Sequence, residues 1–155
     1  MPDVRNVFIS HIHEDDRHLD GLKGLMADRG LDIRDSSVNA ATPNKAKDEG
    51  YIKSQILAPK IQWAGTMIVL VSADTKDSPY VEWEIDYAQK HETRILGVFA
   101  PGAAESDLPE GLVDYADGIV SWSGEAIFEA IMGEDVWQDS KGTPRSRTDI
   151  ARHNC

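Results

Sequence analysis

The chain has 155 residues, with 16 Lys and Arg against 27 Asp and Glu, a formal charge of -11. That length suits one domain with a real core, and 41% hydrophobic residues is a globular composition. Such an acidic balance argues against a nucleic-acid partner, whose phosphates would be repelled.

Five apolar runs, Val4–Ser10, Leu31–Asp35, Thr66–Ser72, Arg94–Ala100 and Gly118–Trp122, read as buried strands. They are continuous rather than alternating, as parallel strands covered on both faces require. Helical patterns lie between them. Asp15 or Asp16 can cap a helix carrying Leu19, Leu22, Leu25 and Met26 and closed by Gly30. A second helix carries Ile52, Ile56 and Leu57, and Pro59 is expected to break or kink it. Ser78-Pro79 is a cap followed by proline at the first helical position; that third helix carries Val81, Ile85 and Ala88. A short helix with Leu112 and Tyr115 is expected within Pro101–Asp117, and Ser123 can cap a last helix ending at Gly133. Alternating strands and helices imply an α/β, flavodoxin-like fold: a five-stranded parallel sheet with helices on both faces and right-handed crossovers. Ligands of such sheets sit beyond the carboxyl ends of the strands.

Residues 1–137 are expected to form the domain and 138–155 a polar, basic C-terminal tail. From Asp139 onward, Lys141, Arg145, Arg147 and Arg152 stand against Asp139 and Asp149, with no apolar stripe. The start of the chain lacks a signal-peptide pattern, and its longest apolar run, Met67–Val71, is too short to span a bilayer. A cytoplasmic protein without membrane contact is therefore expected. Cys155 is the only cysteine, which excludes an intrachain disulfide and a cysteine-rich zinc site.

Several chemistries are excluded by the first strand's exit, Ser10-His11-Ile12-His13-Glu14-Asp15-Asp16, which is acidic and lacks glycine. It cannot be a dinucleotide fingerprint, a Walker loop or a flavodoxin-type phosphate loop. A phospho-receiver would end its third strand in Asp and its fifth in Lys; here those ends are Ser72 and Trp122. The His11/His13 pair invites a metal, but His18, His91 and His153 are the only further histidines, so no metal site is expected.

Glu84 stands out on its helix. At about 100° per residue, Val81, Ile85 and Ala88 form the buried stripe and Glu84 lies about 60° from Val81. Glu82 and Asp86 point toward water. Glu84 is either a boundary carboxylate making a cap or salt bridge, or a partly desolvated acid in a cleft, able to bind sugar hydroxyls or stabilise a cation. Trp83 lies nearly opposite the buried stripe, packed by a loop or serving as an interface anchor. The polar stretch Asn39–Gly50 is a surface loop or a lid.

Three stretches together resemble a TIR domain, in particular the bacterial TIR-like branch that includes Thoeris anti-phage defence proteins. The first is Val7-Phe8-Ile9-Ser10 followed by acids. The second is Ile68-Val69-Leu70-Val71-Ser72 with Ser78-Pro79-Tyr80-Val81-Glu82-Trp83-Glu84-Ile85. The third is the late strands Arg94–Pro101 and Asp117–Trp122. Tyr80 and Val81 stand where the family usually has Trp and Cys. The similarity covers roughly residues 4–133. It implies cleavage of the nicotinamide–ribose bond of NAD+, a substrate and not a cofactor, and in some members cyclisation of the ADP-ribose. The family's essential glutamate falls on Glu84. The resemblance further implies that Phe8, Ser10, His11, Ser36, Asn39, Ser72, Tyr80 and Trp83 bind the substrate. The implied partners are other copies of the chain, through TIR–TIR contacts, and a separate effector reached by a nucleotide signal. Two other readings share the pattern: a non-enzymatic TIR scaffold, which needs no acid at position 84, and a nucleoside deoxyribosyltransferase-like enzyme.

Overall fold

The computed structural model of the protein describes residues 3–35, 58–134 and 136–144. Its strands are β1 (Asp3–Ser10), β2 (Leu31–Asp35), β3 (Thr66–Val71), β4 (Arg94–Phe99) and β5 (Gly118–Val120). They form one parallel sheet in the order β2-β1-β3-β4-β5. The described helices are α1 (Leu19–Ala27), α2 (Ala58–Trp63), α3 (Pro79–Lys90), α4 (Glu110–Tyr115) and α5 (Gly124–Ile131). This is the flavodoxin-like α/β architecture.

Alternation along each strand splits the core in two. Val7, Ile9, Ile68, Leu70, Leu96 and Val98 face α1 and α5, where Leu22, Met26, Ile127 and Ile131 meet them. Phe8, Met67, Val69, Val71, Ile95 and Phe99 face the other way, toward Ile61 of α2, Val81 and Ile85 of α3 and Leu112 of α4. Met67 through Val71 are all fully buried, so β3 is the central strand on both faces. Each such side chain contributes about 1.5–3 kcal/mol of burial. The chain leaves β1 toward one edge and β3 toward the other. The crevice between those strands is the place where this topology holds ligands.

Glycine at position 97 lets α4 close on the sheet. A Cβ there would lie 2.7 Å from Leu112 Cδ2 and 3.4 Å from Ile119 Cγ1. Gly97→Ala is therefore expected to cost about 1–3 kcal/mol by overpacking. A lowered urea midpoint at unchanged m-value is the expected reading; an unchanged midpoint would mean that Leu112 repacks freely.

The helix starts divide into two kinds. Ser78 accepts from the Val81 N–H at 3.3 Å and Ser123 from the Ala126 N–H at 3.4 Å, as their sequences predict. The first helix starts differently. A 3-10 turn spans His13–His18, and the N-cap of α1 is His18 with no side-chain cap bond. Asp15 is not its cap: it is 2% exposed and accepts a hydrogen bond from Ser72 Oγ at 2.7 Å. A tertiary partner has outcompeted the local one. Pro59 lies within the described part of α2, Ala58–Trp63. Ile52, Ile56 and Leu57 lie outside the described residues, as does the Asn39–Gly50 stretch. Gly30 and Gly133 take φ of 78° and 105° after α1 and α5.

The first two strands end where their apolar runs do, and β3, β4 and β5 end a residue or two earlier. Ser72 turns its N–H to Thr75 Oγ1 at 2.8 Å, and Ser121 turns its N–H to Gln138 Oε1 at 3.2 Å. Gln138 belongs to a segment that lies along the free edge of β5. Ile119 N–H donates to Val136 O at 3.1 Å and Gln138 N–H to Ile119 O at 2.7 Å. A turn follows, in which Asp139 accepts from the N–H groups of Lys141 and Thr143. These bonds hold the Asp139 carboxyl below its usual range. Covering an edge strand in this way blunts its tendency to pair with another chain. Residues 145–155 lie outside the described ones.

Candidate functional site

Ser10 ends β1 and is 1% exposed; its backbone partner across the switch point is Val69 of β3. Its side chain faces α3. The second turn of that helix brings Glu84 to it, because Val81, Ile85 and Ala88 bury the adjacent stripe. Ser10 Oγ donates to Glu84 Oε1 at 2.6 Å. Glu84 itself is 6% exposed. Burial pushes its carboxyl from 4.5 up to about 8, and the Ser10 hydrogen bond acts against that rise. Glu82 is exposed, and Asp86 pairs with Lys90 at 3.0 Å on an outer face. Among the three acids of α3, only Glu84 is drawn against the end of β1, and burial raises its carboxyl above the ordinary range.

A second polar cluster lies where β1, β3 and β4 end. Ser72 Oγ donates to Asp15 Oδ2 at 2.7 Å, and Thr75, wholly buried, accepts from the Ser72 N–H and donates to Leu70 O at 3.2 Å. A cavity of about 260 Å³ opens beside it, lined by Ile12, Asp15, Arg17, Ser72, Asp74 and the Pro101–Ala103 turn. Asp15 is the residue that the sequence does not betray, because its partner is 57 positions away.

The other expected residues fall in several places. Phe8 is 1% exposed and belongs to the core on the α3 side, beneath the site. His11 is half-buried, with its Nδ1 at 2.8 Å from Ile9 O. Tyr80 is half-buried against the same core, one turn before Glu84. Trp83 is half-buried against the core on the α3 side. It stacks on Tyr87 at 5.1 Å, which stacks on His91 at 4.1 Å. There Trp83 lines a larger groove, about 620 Å³, between α3 and α4. That groove touches neither Ser10 nor Glu84, so its size does not make it the site. Ser36 and Asn39 lie outside the described residues. Glu84 and Ser10 are brought together; Ser72 joins Asp15 instead.

Among the described residues, no group of three or more His, Cys, Asp or Glu side chains is placed to hold a metal ion. Nor is any described helix long and apolar enough to cross a membrane.

Comparison with the curated proteins found no match. The family model of the Thoeris protein ThsB, TIR-like domain, matches residues 8–105. That span runs from β1 through the crevice, α3 and β4, and holds Ser10, Asp15, Ser72 and Glu84. With the parallel sheet and the buried glutamate in place, and with more than half of its length matched, the chain belongs to the Thoeris ThsB TIR-like domain family.

Proposed function

We propose that this Thoeris TIR protein cleaves NAD+ between nicotinamide and ribose and releases a cyclic or modified ADP-ribose that signals to a separate effector. The observation that supports this reading is the Ser10–Glu84 pair: one buried carboxyl group, held by a strand-end hydroxyl at 2.6 Å, at the switch point of the sheet. In the reaction the C1′–N1 bond breaks and its electron pair goes to nicotinamide, neutralising the pyridinium. The ribosyl left behind is oxocarbenium-like and cationic. An ionised Glu84 against it stabilises that charge in a site of low dielectric. Water then captures C1′ to give ADP-ribose, or a nucleophile within the same molecule captures it to give a cyclic product. Either route releases one proton.

The resting site suits this task. A carboxyl group near pH 8 is mostly protonated at neutral pH, which avoids a bare buried charge. A cationic substrate beside it favours the ionised form, so charge appears where and when the reaction needs it. The reading keeps metal out of the chemistry and places the enzyme in the cytoplasm, acting through self-association, without nucleic acid or membrane.

The decisive experiment is incubation with NAD+ in EDTA over a dilution series, with mass spectrometry of the products. Free nicotinamide together with an ADP-ribose species is expected, with specific activity rising with protein concentration. No nicotinamide at any concentration would sink the reading, and would leave a scaffold acting through assembly. Release of nucleobase from deoxynucleosides instead would point to a transferase.

A further inference from the structure

We propose that Ser10 is a positioning residue of this site: its buried hydroxyl fixes the Glu84 carboxyl group and stabilises its ionised form. The inference rests on the proposed reaction only for its activity readout.

The geometry is rigid on both sides. Ser10 is the last residue of β1, in register with Val69 of a fully buried strand. Glu84 sits on a helix fixed by the Ser78 cap, Pro79 and the buried stripe of Val81, Ile85 and Ala88. Both side chains are buried, which restricts them around the 2.6 Å contact. A hydroxyl that donates to a carboxylate favours the charged form, and the preference grows as water is excluded.

Among the described residues, the causes that act on the Glu84 ionisation are its burial and the Ser10 bond, and the charged groups of the surrounding elements lie as follows. On α3, Glu82 is exposed and Asp86 is paired with Lys90. After β1, His11 lies against Ile9 O and Asp15 is bound by Ser72. Lys76, before α3, donates to Ser106 O, and Arg94 of β4 donates to Ala130 O and Glu134 O. Lys60 belongs to α2, and Glu110 and Asp114 to α4. Arginine or lysine beside a glutamate would hold it ionised at all times. A hydroxyl only lowers the cost of ionising it, and so leaves the switch to the substrate.

The test uses the full chain with Ser10→Ala, Ser10→Cys and Ser10→Thr. The Glu84 carboxyl is followed by carbon NMR titration, assigned through Glu84→Gln. In Ser10→Ala the titration is expected to move up by about one pH unit. Ser10→Cys, a weak donor of similar size, should fall between, and Ser10→Thr, which keeps the hydroxyl, should restore the wild-type midpoint. In the NAD+ assay, kcat/KM of Ser10→Ala should drop about tenfold at pH 7 and recover as the pH passes its new midpoint. An unmoved titration in folded Ser10→Ala and Ser10→Cys proteins would overturn the proposal. So would an activity loss that is the same at every pH, since a merely structural role gives that. If the wild-type protein leaves NAD+ intact, the reaction assignment fails, while the titration still decides whether Ser10 governs Glu84.

Discussion

Glu84→Gln is expected to lower NAD+ turnover by at least about a hundredfold to a thousandfold while leaving the fold in place. The size follows from the role. A preorganised group aimed at charge that develops in the transition state is worth about that much when removed from a dry site. Glutamine keeps the shape and can still accept from Ser10 Oγ, so the 2.6 Å contact has a replacement. What is lost is the ability to become negative. The loss should appear chiefly in kcat, because the ribosyl charge that Glu84 meets arises only as the bond breaks, with a smaller rise in KM from the lost attraction to the nicotinamide cation. Circular dichroism and the elution volume should match the wild type. Full turnover in a folded Glu84→Gln protein would falsify the assignment of this residue.

The strands were legible because each is an apolar run bounded by polar or turn residues, and a run buried on both faces needs no periodicity to be seen. Ser78-Pro79 and Ser123 were legible for another reason: a cap is satisfied within three residues, so the sequence holds the whole motif. Asp15 shows the limit of that logic. Locally it has the chemistry of a cap, and only the approach of β3 makes Ser72 the better donor.

The site divides along the same line. Glu84 emerged from the helical wheel because Val81, Ile85 and Ala88 fix the rotation of α3, and a neighbouring position must then share the buried edge. Its partner did not emerge from spacing, because Ser10 is 74 residues away and meets it only through the order of the sheet. The Thr75 hydroxyl, which closes the turn after β3, was invisible for want of any pattern. Gln138 is a related case. It lacks an apolar stripe, yet its backbone and side chain cover the edge of β5 through hydrogen bonds that no hydropathy pattern records.

A second large effect concerns stability. The Glu84 carboxyl has a folded-state pKa of about 8 against an ordinary value of 4.5. Between those values the native protein holds a proton that the unfolded chain has released. Stability therefore falls as pH rises through that window, is fully present below pH 4.5, and falls no further above pH 8. At about 1.4 kcal/mol per pH unit, the loss across the window is on the order of 5 kcal/mol. Glu84→Gln has no proton to lose there. At pH 5 the two proteins should unfold within about 1–2 kcal/mol of each other, since both side chains are neutral. At pH 9 the glutamine protein should be the more stable, with a Tm gap on the order of 10 °C at about 2–4 °C per kcal/mol. Other groups titrate over the same range, but they do so in both proteins, so the difference between the two curves isolates Glu84. The comparison sets the expected loss of turnover beside an expected gain in stability, the exchange that a buried carboxylate kept for function requires. A Tm difference that stays constant from pH 5 to pH 9 would show that Glu84 ionises at its ordinary value, and that the crevice around it is wetter than its 6% exposure indicates.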